Sequence, residues 1–178
     1  MNGVASGRYV ADIEGAFVVF LIGMRINRPW KLHRWLPVYR AMGRMLAELE
    51  RLPDKGLLGW ERALIGGPAV VQYWRSFAHL ERFARDPGDL HVPAWKEWNR
   101  TVRDSDDVGI WHETYRIRTG EYEAIYGNMP RFGLAAAGDH VPIRRKGLSA
   151  ARRLGVRDDD ALTVPDPAYA SEAEGVAR

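Results

Sequence analysis

Two stretches concentrate the side chains that could do chemistry. "HVPAWKEWNR" (His91 to Arg100) sets Trp95 and Trp98 three residues apart, with Asn99 and Arg100 beside them. On a helix that spacing puts both indoles on one face. "GIWHETYRIRTGEYEAIYGNMP" (Gly109 to Pro130) opens on an alternating run. On a strand, His112, Thr114 and Arg116 point one way, and Trp111, Glu113 and Tyr115 the other. If His112 faces the helix carrying the Trp pair, it meets them in a half-apolar cavity that suits a greasy ligand held by a few polar groups.

The chemistry expected there is proton transfer in a dry pocket. His112 is the candidate base, Glu113 its candidate orienting carboxylate, and Asn99 or an indole N–H the donor to a developing oxyanion. Trp95, Trp98, Trp111 and Tyr115 are the candidate substrate-binding side chains. Glu113 needs a bulge to reach His112, because neighbours on an ideal strand face opposite ways. Each residue also has a plainer reading. Trp at helical spacing is commonly core, a strand histidine commonly satisfies a backbone group, and His91 beside a helix start suits a cap.

Several motifs are missing. Gly66-Gly67 lies between two strand-like runs rather than before a helix, so there is no phosphate loop. "HETYR" has Arg116 where a zinc-binding H-E-x-x-H needs its second histidine, and no G-x-S-x-G occurs. No metal site is expected. The chain has no cysteine, which removes disulfides, thiolate nucleophiles and Cys-ligated metals. Its formal charge of +3 over 178 residues, with basic residues gathered only near Arg144 to Arg157, gives no nucleic-acid face.

The elements that position these residues follow from pattern. "GAFVVFLIGMRI" is rich in β-branched and aromatic residues and far shorter than the ~20 residues of a membrane span, so it reads as a core strand. Asp12 and Glu14 precede it, unlike a signal peptide. A cytoplasmic protein without membrane insertion is expected. Apolar residues from Leu36 to about Leu52 recur at helical spacing. "LLGWERALIGG" and "PAVVQYWRS" form a hairpin around Gly66-Gly67-Pro68. Ser76 caps a second helix that ends at Pro87-Gly88, "VPAWKEWNRTVRD" is a third, "VGIWHETYRIR" is a strand, and "TGEYEAIYGNMP" is a turn leading to a short strand or extended segment.

The order βαββαβ predicts an α+β fold of ferredoxin-like type, an antiparallel sheet with helices on one face. Residues 15–140 form this domain, residues 1–14 a loose leader, and residues 141–178 a basic extension with a disordered tail, in which "GLSAARRLG" is a short basic helix. The other sheet face carries either Trp60, Arg62 and Leu64 or Trp111, Glu113 and Tyr115. Parity leaves open which set is where, but either is too apolar to stay wet, so a homodimer with stacked sheets is expected.

The blocks "FVVFLIGMRINRPWKLHRWLPVYRAMGRMLAEL", "VVQYWRSFAHLERFARD", "HVPAWKEWNR" and "GIWHETYRIRTGEYEAIYGNMPRFGLAAA" resemble the fumagillin-pathway monooxygenase-like family of the dimeric α+β barrel superfamily, over roughly residues 14–140. The resemblance implies a dimeric ferredoxin-like protomer with a pocket between sheet and helices. Superfamily relatives include cofactor-independent monooxygenases, haem-degrading enzymes and aldoxime dehydratases. Three functions are therefore expected in competition. The first is a monooxygenase using O2, without a cofactor, on a small hydrophobic substrate of secondary-metabolite type. The second is a haem enzyme, with His91 as axial ligand (Trp95 matches the relatives' ligand position more closely) and Arg100, Arg103 or Arg116 on the propionates. The third is a non-catalytic binding or accessory protein for a hydrophobic metabolite.

Overall fold

The structure, a computed structural model, describes residues 3–156. In chain order the elements are β1 (Ala5–Asp12), β2 (Phe17–Ile26), α1 (Leu32–Arg51), β3 (Leu57–Leu64), β4 (Pro68–Trp74), α2 (Phe77–Arg85), α3 (His91–Thr101), β5 (Val108–Ile117), β6 (Ile125–Met129), α4 (Leu134–Ala137), β7 (Asp139–Pro142) and α5 (Ala150–Arg153). They belong to two compact units, one spanning Ala16–Ile117 and the other drawn from the chain up to Gly15 and from Arg118 onward.

The central unit is the expected ferredoxin-like α+β fold. Its sheet has the order β3-β4-β2-β5, with every neighbouring pair antiparallel. The hairpin between β3 and β4 turns on Gly66 and Gly67, both at positive φ. A Cβ on Gly67 would stand 2.2 Å from the carbonyl oxygen of Met24, so this position of the turn admits no side chain. The Ser76 hydroxyl accepts from the backbone N–H of His79 and caps α2, as expected. Helix α1 starts at Leu32, four residues before the first apolar repeat, and carries Pro37 within it.

Strand parity decides the core. Val18 and Trp74 pair across β2 and β4 and pack with Met45 and Leu49 of α1 and Leu80 and Phe83 of α2. Met24 and Val108 pack with Val102, Trp98 and Trp35 in a second cluster under α3. All of these strand residues share one face, so the three helices cover that face alone within this unit. Trp74 is fully buried, and its indole N–H donates to the Gln72 side chain at 2.9 Å, so the polar atom taken out of water is satisfied.

The second unit corrects the expectation for the N-terminus. Residues 1–14 read as a loose leader because "ASGRYVAD" shows no long apolar run, yet Ala5–Asp12 is the middle strand of a sheet ordered β6-β1-β7. Its backbone bonds come from segments more than a hundred residues away in sequence, which local pattern does not reveal. Residues 118–140 belong with this unit rather than with the ferredoxin-like one. The short basic helix appears as α5, while the expected disordered tail, from Asp158 on, lies outside the described residues. Among the described residues no helix is long and apolar enough to cross a membrane.

Candidate active site

Between the helices and the covered sheet face lies a cavity of about 1440 Å³. That exceeds the ~300–1,000 Å³ typical of small-molecule pockets. Phe20 and Ile22 of β2 and His112 and Thr114 of β5 form part of its floor, and Trp95 and Trp98 of α3 part of its wall. His112 and the Trp pair, expected to share a cavity, all line this one hollow. The indoles stack with centroids 4.9 Å apart at 17°. The His112 ring rests near Phe20, centroids 5.5 Å apart, and makes no hydrogen bond among the described residues.

Four predicted residues stand elsewhere. The β2–β5 register runs without a shift from Phe17–Ile117 to Ile26–Val108, so no bulge brings Glu113 round to His112. Glu113, Trp111 and Tyr115 occupy the opposite sheet face. There the Tyr115 hydroxyl donates to Glu113, and this bond, with the Glu113 charge, raises the phenol above its ordinary range. Asn99 donates its side-chain N–H to the Trp95 carbonyl at 3.0 Å and is spent on its own helix. Glu113, Asn99, Trp111 and Tyr115 are thus corrected out of the cavity.

Trp98, on the same helix, carries an unpaired donor. Trp98 Nε1 is buried, with no hydrogen-bond partner among the described residues, and its side chain lines the cavity. A buried donor left unpaired costs about 1–3 kcal/mol. His91 also lines the cavity. Its Nδ1 lies 2.8 Å from the Ala84 carbonyl. A carbonyl only accepts, so Nδ1 carries the proton and Nε2 is left available.

Two ion clusters hold the helices that bound the cavity. Asp107, 1% exposed, receives Lys31 at 3.0 Å and Arg28 at 2.9 Å, and Arg34 lies 3.6 Å away. These bonds tie the start of α1 to the loop between α3 and β5. Burial pushes the Asp107 carboxyl up, but the Lys31 and Arg28 contacts outweigh it and hold it below its ordinary value. Lys55 bonds both Glu48 of α1 and Asp89, two residues before His91, so it fixes the corner that presents α3. Burial lowers the Lys55 ammonium and the two carboxylates more than reverse this, leaving it raised. Sequence spacing gave no sign of either cluster, because the carboxylates Asp107 and Asp89 lie far along the chain from the cations they bind. Among the described residues no group of three or more His, Asp or Glu could hold a metal ion.

Comparison with known proteins gives the family. A sequence model of the monooxygenase af470-like family matches residues 17–134. Monooxygenase af470 of Aspergillus fumigatus is 27% identical over 124 residues, covering 65% of this chain and 44% of that protein. The crystal structure of an aldoxime dehydratase in complex with butyraldoxime superposes with a TM-score of 0.56 at 14% identity, over 78% of this chain and 40% of that one. This chain thus spans less than half the length of either relative, and the second likeness speaks to the fold. The chain belongs to the monooxygenase af470-like family.

Proposed function

We propose that the protein is a cofactor-independent monooxygenase acting on a small hydrophobic substrate in this cavity. The observation that carries the reading is that the His112 imidazole, without a hydrogen bond among the described residues, and the side chain of Trp98, whose Nε1 is unpartnered, line one largely apolar hollow. His112 takes a proton from an activated CH2 beside a carbonyl or phenol. Trp98 N–H receives the charge that gathers on the neighbouring oxygen. The electron-rich carbon then reduces O2, and the balance is CH2 + O2 → C=O + H2O, with every electron supplied by the substrate. His112 returns its proton as water leaves. The His112 side chain is exposed, so in this reading the bound substrate itself displaces the water that would quench the carbanion.

Purified protein is tested by its visible spectrum, by mass spectrometry of co-purified ligand, and by O2 uptake with that ligand. A colourless protein whose O2 uptake is lost in His112→Ala, with circular dichroism unchanged, supports the reading. Undiminished uptake in that variant removes His112 as the base. A tightly held ligand with no O2 uptake at all points instead to a binding or accessory protein.

Haem is the second reading, and one observation favours it. The Nδ1–Ala84 contact of His91 is the arrangement that fixes a ligating histidine's tautomer and leaves Nε2 for a metal. His91 would hold the group, and haem bound there would supply redox chemistry toward O2. The expected propionate partners do not join it. Arg100 is engaged by Glu97, Arg103 lies 3.8 Å from Asp104, and neither they nor Arg116 line the cavity. A Soret band lost in His91→Ala would establish this reading, and a protein that ignores added haemin would end it.

The reading includes a homodimer. On the face away from the helices, Val19, Leu21, Val71 and Tyr73 stand with Trp111 and Tyr115. Tyr115 is 48% exposed, and no element of the ferredoxin-like unit covers this face. A second copy laid sheet to sheet would bury it. Light scattering tests this: a dimer that falls to a monomer in Leu21→Lys is expected, and a stable monomer of the unaltered chain would refute it.

A further inference from the structure

The sheet register aligns four side chains in one row across the cavity side. Arg62 of β3 pairs with Val70 of β4, Val70 with Ile22 of β2, and Ile22 with His112 of β5. All four line the cavity. A cation therefore stands at one edge of the sheet and the candidate base at the other, with two aliphatic side chains between them. Three strand spacings of about 4.8 Å separate the ends, so the row is about 14 Å long from Cα to Cα.

The cationic end is arranged rather than incidental. The Arg62 guanidinium lies over the Trp60 ring, 5.8 Å from its centroid. That ring is itself held, since its N–H donates to Glu50 at 2.9 Å. Arg62 has no carboxylate partner among the described residues, and the acids lining the same cavity are each engaged. Glu50 holds Trp60, Glu81 holds Arg85 at 2.9 Å, and Glu97 holds Arg100. Arg40 and Arg44, one turn apart on α1, also border the cavity without an acid partner. A guanidinium laid on an aromatic face, with no carboxylate bonded to it among the described residues, keeps its fork of N–H donors for an anion from outside.

We infer that the ligand of this cavity is an amphipathic carboxylic acid. Its carboxylate pairs with Arg62 at the β3 edge, its apolar chain crosses Val70 and Ile22, and its reacting carbon lies at His112. The row then acts as a ruler: the distance from head group to base selects which carbon reaches the imidazole. This inference rests on the oxygenase reading for the role of His112, while the Arg62 contact stands on the register and the free guanidinium alone.

The full chain is titrated with dodecanoate and with dodecanol, following tryptophan fluorescence and calorimetry, as the unaltered protein and as Arg62→Gln and His112→Ala. The unaltered protein should bind the acid at least about tenfold more tightly than the alcohol, the usual scale of a charge-assisted bond. Arg62→Gln should abolish that preference while binding the alcohol as before, which also reports an intact cavity. His112→Ala should keep the preference. Equal affinities in the unaltered chain, a preference that survives Arg62→Gln, or no binding of dodecanoate would overturn the inference. None of these touches the oxygenase reading, which stands or falls on O2 uptake in His112→Ala.

Discussion

Trp111 lies over Gly23. A Cβ built on this glycine would stand 2.7 Å from three atoms of the indole, so the ring sits flat against a strand residue that has no side chain to lift it. The two are direct cross-strand partners in β2 and β5, on the face away from the cavity. Gly23→Ala should therefore push Trp111 off the sheet and cost about 1–3 kcal/mol of stability, the scale of overpacking. Urea denaturation measures the loss. Trp111→Ala in the same chain should relieve most of the added cost, and a fully additive double variant would show that the contact is not the cause.

Trp98 carries a different prediction. Trp98→Phe keeps most of the ring and deletes the buried, unpartnered N–H. Turnover should fall on the order of a hundredfold, the scale of losing one oxyanion donor, with KM little changed. Asn99→Ala, whose side chain is bonded to the Trp95 carbonyl, should leave turnover as it was. Steady-state kinetics on the two variants separates the donors.

The Asp107 cluster predicts an acid limb in the stability profile. The folded carboxyl is held below its ordinary value of 3.8. The stabilisation is thus complete above about pH 4 and lost as the pH falls through the lower, folded value. Thermal melts between neutral pH and pH 3 should show the decline, and Asp107→Asn should lower the neutral-pH melting temperature by several degrees and flatten the acid limb. The Lys55 cluster has the opposite sign. Its raised ammonium contributes stability that is fully present below the ordinary value of 10.5 and lost as the pH rises through the folded one.

Gln72 tests the polar core. Gln72→Leu removes the acceptor of the fully buried Trp74 N–H and leaves that donor unpaired. A loss of about 1–3 kcal/mol is expected, read as a lower urea midpoint at unchanged slope.

Much of the fold is legible along the chain because its signals are local. The β-branched run at Phe17–Ile26, the Gly66-Gly67 turn, the Ser76 cap and the Trp95–Trp98 spacing each need only a few neighbouring residues. They give the βαββαβ order and, with it, the ferredoxin-like sheet. Alternation along Val108–Ile117 is enough by itself to set His112 and Glu113 on opposite faces. Strand β1 escapes the same reading, because its partners β6 and β7 come from the far end of the chain.

The sequence by itself determined the elements of the ferredoxin-like unit, their order, and the two sets of side chains on each of its strands. Only the tertiary structure decided which set faces the helices, that Glu113 and Asn99 stand outside the cavity, and that Arg62 shares a row with His112. Period-two alternation is a property of one strand and is the same whichever way the sheet is turned. Facing and register are fixed by where the crossing helices pack and by hydrogen bonds between strands far apart in the chain, and no local run of residues encodes either.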